Sequence, residues 1–94
     1  DCLYLKFVSP GHAGVPDRMI LTPSGHVIFV ELKQEGKKLR PLQLFWQKTL
    51  KRMRFAAFVV SDNDSARKCL DYVLEILRQE EDDQMKERLN DYDI

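Results

Sequence analysis

Gly14-Val15-Pro16-Asp17-Arg18-Met19-Ile20-Leu21, then Thr22-Pro23-Ser24-Gly25, then His26-Val27-Ile28-Phe29-Val30-Glu31-Leu32-Lys33: the reading of this stretch decides the fold. Two apolar runs flank a Thr-Pro-Ser-Gly breaker cluster, which predicts a β-hairpin with strands over 18–21 and 26–33. Residues two apart on a strand share a face and lie roughly 6.6 Å apart, so Glu31 and Lys33 point one way. Leu32 points the other way, with Val30 and Ile28, into a core. Asp17 stands just before the first of these strands, at the hairpin end nearest the end of the second, and approaches Glu31 across the pair. An acid and an amine closing an apolar strand carry a desolvation penalty unless they pair with each other or with a cation. Two carboxylates suit a hard divalent cation, and an ammonium beside it suits a phosphate or an attacking water.

Working outward, Leu3–Val8 reads as a strand that stops at Ser9-Pro10-Gly11, followed by a loop through His12 to Val15. On the other side, Gly36-Lys37-Lys38 is a loop and Pro41 suits the first turn of a helix over 41–54. Leu42, Phe45, Trp46, Leu50 and Met53 fall on one side of that helix and are expected to be buried. Arg40, Gln43, Gln47, Lys51 and Arg54 fall along the other, and with Lys37 and Lys38 they predict a ridge that tracks a phosphate backbone. Phe55–Val60 is a continuous apolar run, the mark of a strand buried on both faces and parallel to its neighbour. Ser61-Asp62-Asn63-Asp64 caps a second helix with Ala66, Leu70, Val73, Leu74 and Leu77 as its inner stripe. From Glu80 the chain is acidic, either a helical extension or a solvated tail. The order strand, strand, strand, helix, strand, helix makes this an α/β chain with a mixed sheet flanked by helices. The core is expected over residues 1–79 and the acidic extension over 80–94.

The chain has 94 residues and no net charge, but the charge is segregated. Residues 1–60 hold ten Lys/Arg against four acids, and 61–94 hold five against eleven, giving +6 and −6. A basic first half suits a polyanionic partner. No apolar run approaches the ~18 residues of a membrane span, and no signal peptide is visible. Cys2 and Cys69 are too few and too far apart for a metal knuckle. The expected compartment is therefore the reducing cytoplasm of a bacterial or phage-infected cell.

Pro16-Asp17 followed by Glu31-Leu32-Lys33 matches the signature of the PD-(D/E)XK nuclease superfamily. The wider string, from Gly11-His12-Ala13-Gly14-Val15-Pro16-Asp17-Arg18 to Val27–Gln43, resembles the small VRR-NUC domains of phage and bacteria. The resemblance runs from about Tyr4 to about Leu77 and implies a restriction-endonuclease-like core. It implies Asp17, Glu31, Lys33 and Gln43 as catalytic residues. Asp17, Glu31 and the main-chain carbonyl of Leu32 would be ligands of Mg²⁺ or Mn²⁺. Arg18, Lys37, Lys38, Arg40, Gln47, Lys51 and Arg54 are the expected nucleic-acid contacts. Members carry a helix before the first strand, often with a glutamate that reaches the metal. This sequence begins at the strand, which implies one ligand fewer and an apolar side of the sheet for another subunit to cover. The activity implied is metal-dependent, structure-selective cleavage of branched DNA, four-way junctions or flaps, by a homodimer. A non-catalytic nucleic-acid-binding module with the same fold, and a protein-interaction domain working through its acidic end, are the alternatives.

Overall fold

Aromatic and β-branched runs become strands where the sequence calls for them. The structure, a computed structural model, describes residues 2–92. Its strands are β1 (Leu3–Lys6), β2 (Arg18–Leu21), β3 (Val27–Leu32) and β4 (Ala56–Val60), and its helices are α1 (Pro41–Arg52) and α2 (Asn63–Tyr92). The strands form one sheet in the order β1-β2-β3-β4. β1 to β3 are an antiparallel meander, and β4 runs parallel to β3 from Ile28↔Ala56 to Leu32↔Val60. The mixed sheet with one parallel pair is the one expected, and α1 is the crossover that a parallel pair requires.

Alternation along β3 assigns the two faces of the sheet. Ile28 and Val30 are almost fully buried and pack with Cys69 and Val73 of α2. Phe29 and Glu31 face the opposite side, where α1 lies and Gln43 reaches Glu31. The result is three layers, with α2 under the sheet and α1 over β3 and β4. Cys69 is a core residue, Cys2 packs against the same cluster, and both are free thiols. Burial raises the Cys69 thiol above its ordinary range.

Both helices are rotated from the orientation that periodicity predicts. In α1 the inward residues are Gln43, Gln47 and Leu50, spaced i, i+4, i+7, whereas Leu42, Phe45 and Met53 are more than half exposed. The cause is what lies beneath: the strand face under the first turn carries Glu31, so a polar helix stripe turns toward it. In α2 the inward residues are Cys69, Val73, Ile76 and Leu77, while Leu70 and Leu74 are about half exposed and Ala66 faces solvent. α2 continues without a break through residue 80, so the acidic segment is a helical extension as far as Tyr92.

Glu80 itself is buried, 58 residues away in sequence from Thr22, whose hydroxyl donates to it at 2.7 Å. Ser24 also donates to Glu80, and His26 Nδ1 lies 3.2 Å from the same oxygen. The C-terminal half of α2 is thus tied to the β2–β3 turn. Among the described residues no helix is long and apolar enough to cross a membrane.

Candidate active site

The site sits where β3 ends, α1 begins and the loop before β2 closes. Phe7 N–H donates to the Asp17 carbonyl at 2.8 Å, one step beyond the β1–β2 ladder, and so closes the loop of residues 8–16 on its own base. Asp17 N–H donates to Glu31 Oε2 at 3.2 Å, and Asp17 Oδ1 accepts from Leu32 N–H at 3.1 Å. The Glu31 carboxylate is therefore tied to the Asp17 main chain, and the Asp17 carboxylate to the main chain one residue past Glu31, across the hairpin. Because the N–H and C=O of one residue leave an extended strand on the same side, the Leu32 carbonyl leaves β3 on the side of its N–H, the side of Asp17.

Gln43 joins the helix to this pair. Its Nε2 donates to Glu31 Oε1 at 2.9 Å. Its Oε1 accepts from Lys33 Nζ at 3.0 Å and from Arg40 N–H at 2.8 Å. Those partners fix the orientation of the amide, because only the oxygen can accept from an ammonium and a main-chain N–H. The bond from Arg40 is half of a capping box, so the same side chain that bridges the site also satisfies an orphan donor at the start of α1. Pro41 at the first helical position loses no hydrogen bond there.

Glu31 is 6 % exposed. Burial raises its carboxyl above the ordinary range and the nearby Asp17 charge raises it further, while the Asp17 N–H, Lys33 and Arg40 pull it back. Lys33 does not form the simple ion pair that the Glu-x-Lys spacing allows. Among the described residues no Lys or Arg nitrogen lies within 4.0 Å of Glu31, and the ammonium goes to Gln43 instead. Two acids are thus held together with incomplete compensation. The donors are all oxygens, the set a hard cation prefers, so the residues present fit Mg²⁺ or Mn²⁺. Among the described residues no third acid, histidine or cysteine completes the cluster.

The basic residues separate into two groups. Lys37, Lys38 and Arg40 are exposed on the loop leading into α1, at the site. Lys51 and Arg54 are exposed at the other end of the helix, where Arg54 borders Gly25 and His26 of the hairpin turn. Arg18 is half-buried and its guanidinium donates to the Asp17 carbonyl at 2.9 Å, holding the motif in place. Gln47 does not belong to the ridge expected of it. It is 4 % exposed, and its amide nitrogen and oxygen both lack hydrogen-bond partners. A side chain buried under α1 does not reach a phosphate outside.

Two parts of this neighbourhood escape sequence reasoning. Trp46, read as an apolar-stripe residue, donates its indole N–H to the Ala13 carbonyl at 3.1 Å. Gly14, quoted only as part of the motif, packs directly on the first turn of α1. Its φ is positive, at 86°, and the available sequence signal was a glycine two residues before Pro16-Asp17, the residue type that tolerates such a backbone.

No protein-family model matches the sequence. A solved structure described as a VRR_NUC domain superposes with a TM-score of 0.67 at 30 % identity, over 74 % of this chain and 76 % of that one. The chain belongs to the VRR-NUC family. The site just described thus lies in a nuclease-like domain, with a mixed four-stranded sheet and flanking helices. A second likeness is local and stronger: 59 % identity over 39 residues to a protein of Acyrthosiphon pisum secondary endosymbiont phage 1 named "Putative nuclease p44". That match spans 42 % of this VRR-NUC chain and 42 % of the phage protein.

Proposed function

We propose that this VRR-NUC domain is a Mg²⁺- or Mn²⁺-dependent endodeoxyribonuclease that hydrolyses DNA phosphodiester bonds, in the cytoplasm of a bacterial or phage-infected cell. The observation that carries the reading is the bridged pair: Asp17 and Glu31 bonded across the hairpin, with Gln43 linking Glu31 to Lys33. Asp17, Glu31 and the Leu32 carbonyl would hold the cation. When bound, it polarises the phosphate and acidifies a water. The chain's own contribution is orientation and charge. Gln43 keeps Glu31 in one rotamer and holds the Lys33 ammonium beside the carboxylates, where negative charge develops on the phosphate. Losing an electrostatic contact of that kind typically lowers the rate ~10²–10³-fold. Lys37, Lys38 and Arg40 take neighbouring phosphates without reading sequence.

Preference for branched substrates cut by a homodimer is the finer part of the proposal. It is supported by edge strand β1, where Leu3, Tyr4 and Leu5 are 40–59 % exposed, and by the exposed Leu42 and Phe45 of α1. Apolar surface of that kind on a small domain suits a second copy.

The test uses labelled duplex, flap, four-way junction and RNA, each with Mg²⁺, with Mn²⁺ and with chelator. Cleavage of DNA that is lost with chelator, and in Asp17→Asn and Glu31→Gln variants that stay folded, is the expected result. Chelator-insensitive binding without cleavage would make the chain a binding module instead.

A further inference from the structure

The inward side of α1 poses a problem of placement. Its buried residues are two glutamines and one leucine, and most of its large apolar side chains face outward. Hydrophobic packing is non-directional and scales with apolar area, so this face gives the sheet little to hold the helix by. Yet Gln43 must sit within hydrogen-bond reach of Glu31 and Lys33 together. Glu31 draws the polar stripe inward, but holding the helix at that rotation and height needs further contacts.

The loop of residues 8–16 supplies two. Gly14 lies so close that a Cβ there would be 2.6 Å from Leu42 Cβ, 2.7 Å from the Leu42 carbonyl carbon and 2.9 Å from Gln43 N. Two of those three neighbours are backbone atoms and cannot move aside without moving the helix. Three residues beyond Gln43, Trp46 donates to the Ala13 carbonyl at 3.1 Å, and its ring meets His12 edge-on at 6.0 Å. One contact at the first turn and one at the next fix the helix about its axis as well as along it. The other end of the same loop is Asp17, anchored to Phe7 N–H and to Glu31.

We infer that Gly14 and Trp46 are positioning residues: they strap the Asp17 loop onto the first two turns of α1 and so set Gln43 against the Glu31 carboxylate. The inference deepens the proposed metal-dependent reading and rests on it for its consequence, but not for its geometry. Outer residues that orient ligands are typically worth 10–100-fold in metal affinity.

The deciding variant is Trp46→Phe, which keeps an aromatic side chain and removes the indole N–H together with the smaller ring that carries it. Gly14→Ala is made beside it and is informative if it folds, as judged by circular dichroism. Two measurements are made on each. In the metal-free protein, the Gln43 side-chain amide is followed by NMR, and the strap predicts faster exchange and a shifted resonance in Trp46→Phe. In titrations with Mn²⁺ alone, the strap predicts affinity 10–100-fold weaker than wild type, with cleavage recovered by raising Mn²⁺. Wild-type Gln43 resonances and wild-type Mn²⁺ affinity in folded Trp46→Phe would overturn the strap. If the wild-type chain itself binds no Mn²⁺, the metal reading fails, and the NMR measurement still decides whether Trp46 positions Gln43.

Discussion

Glu31 is the residue on which the site's electrostatics turn. Its carboxyl is raised by burial and by Asp17, so the folded state favours the protonated form more than the unfolded chain does. The penalty is absent below the ordinary value of 4.5 and grows as pH rises through the folded value. Stability should therefore decline over that interval rather than rise. Asp17→Asn removes the second-largest cause of the shift. The Glu31 side-chain carbon, titrated by NMR, should move back toward 4.5, and the decline in stability should shrink. An unchanged titration would mean that Asp17 is not the charge Glu31 feels. A saturating divalent cation should have the same sense as the substitution, because it too offsets the repulsion.

At the scale of elements, α1 and α2 are held in two different ways. α1 finishes in a Schellman motif, with Arg54 N–H bonded to the Lys51 carbonyl and Phe55 N–H to the Leu50 carbonyl. The residue in the left-handed position is Arg54, at φ 69°, where glycine is the usual occupant. Arg54→Gly should stabilise the fold by roughly 1 kcal/mol, read from denaturant midpoints. A loss instead would show that the arginine side chain holds contacts that outweigh its backbone strain. α2 is held through Glu80, whose carboxyl Ser24 and then Thr22 keep below the ordinary range by hydrogen bonding. Its contribution is present above pH 4.5 and lost as pH falls through the lower folded value, opposite in sense to Glu31. Glu80→Gln should lower the melting temperature at pH 7 and make no difference once the acid is protonated in the wild type.

These two helices also show where the sequence stops speaking. Strands, hairpin and crossover are legible because period-2 runs, breakers and Pro41 are local signals. The approach of Asp17 to Glu31 and Lys33 is legible too, because a hairpin brings fixed spacings together; Gln43, on α1, joins them in the sequence only through the family resemblance. The phase of α1 is not, because its inward face answers to a charged strand residue and not to a greasy one. Glu80 is invisible for a related reason: a buried acid in an acidic run is told apart only by hydroxyls 56 and 58 residues away.

At the scale of the whole molecule, the opposite charges of the two halves become a geometry. The site end carries Lys37, Lys38 and Arg40, the acidic helix α2 lies on the other face of the sheet, and Lys51 and Arg54 stand at the far end of α1. Twelve helical residues at 1.5 Å each put roughly 18 Å between the two basic groups. A DNA segment crossing the first turn of α1 at the site would touch the near group alone. In an Asp17→Asn background, in which the proposed mechanism predicts no cleavage, duplex affinity measured by fluorescence anisotropy should fall linearly with the logarithm of salt. Lys37→Ala and Lys38→Ala should each reduce that slope by about 1. Lys51→Ala and Arg54→Ala should leave it nearly unchanged, since phosphates one helix length away release no counterions there. Equal losses at both ends would mean that the duplex lies along α1 instead of across its first turn, and the path of the strand past Lys33 would have to be redrawn.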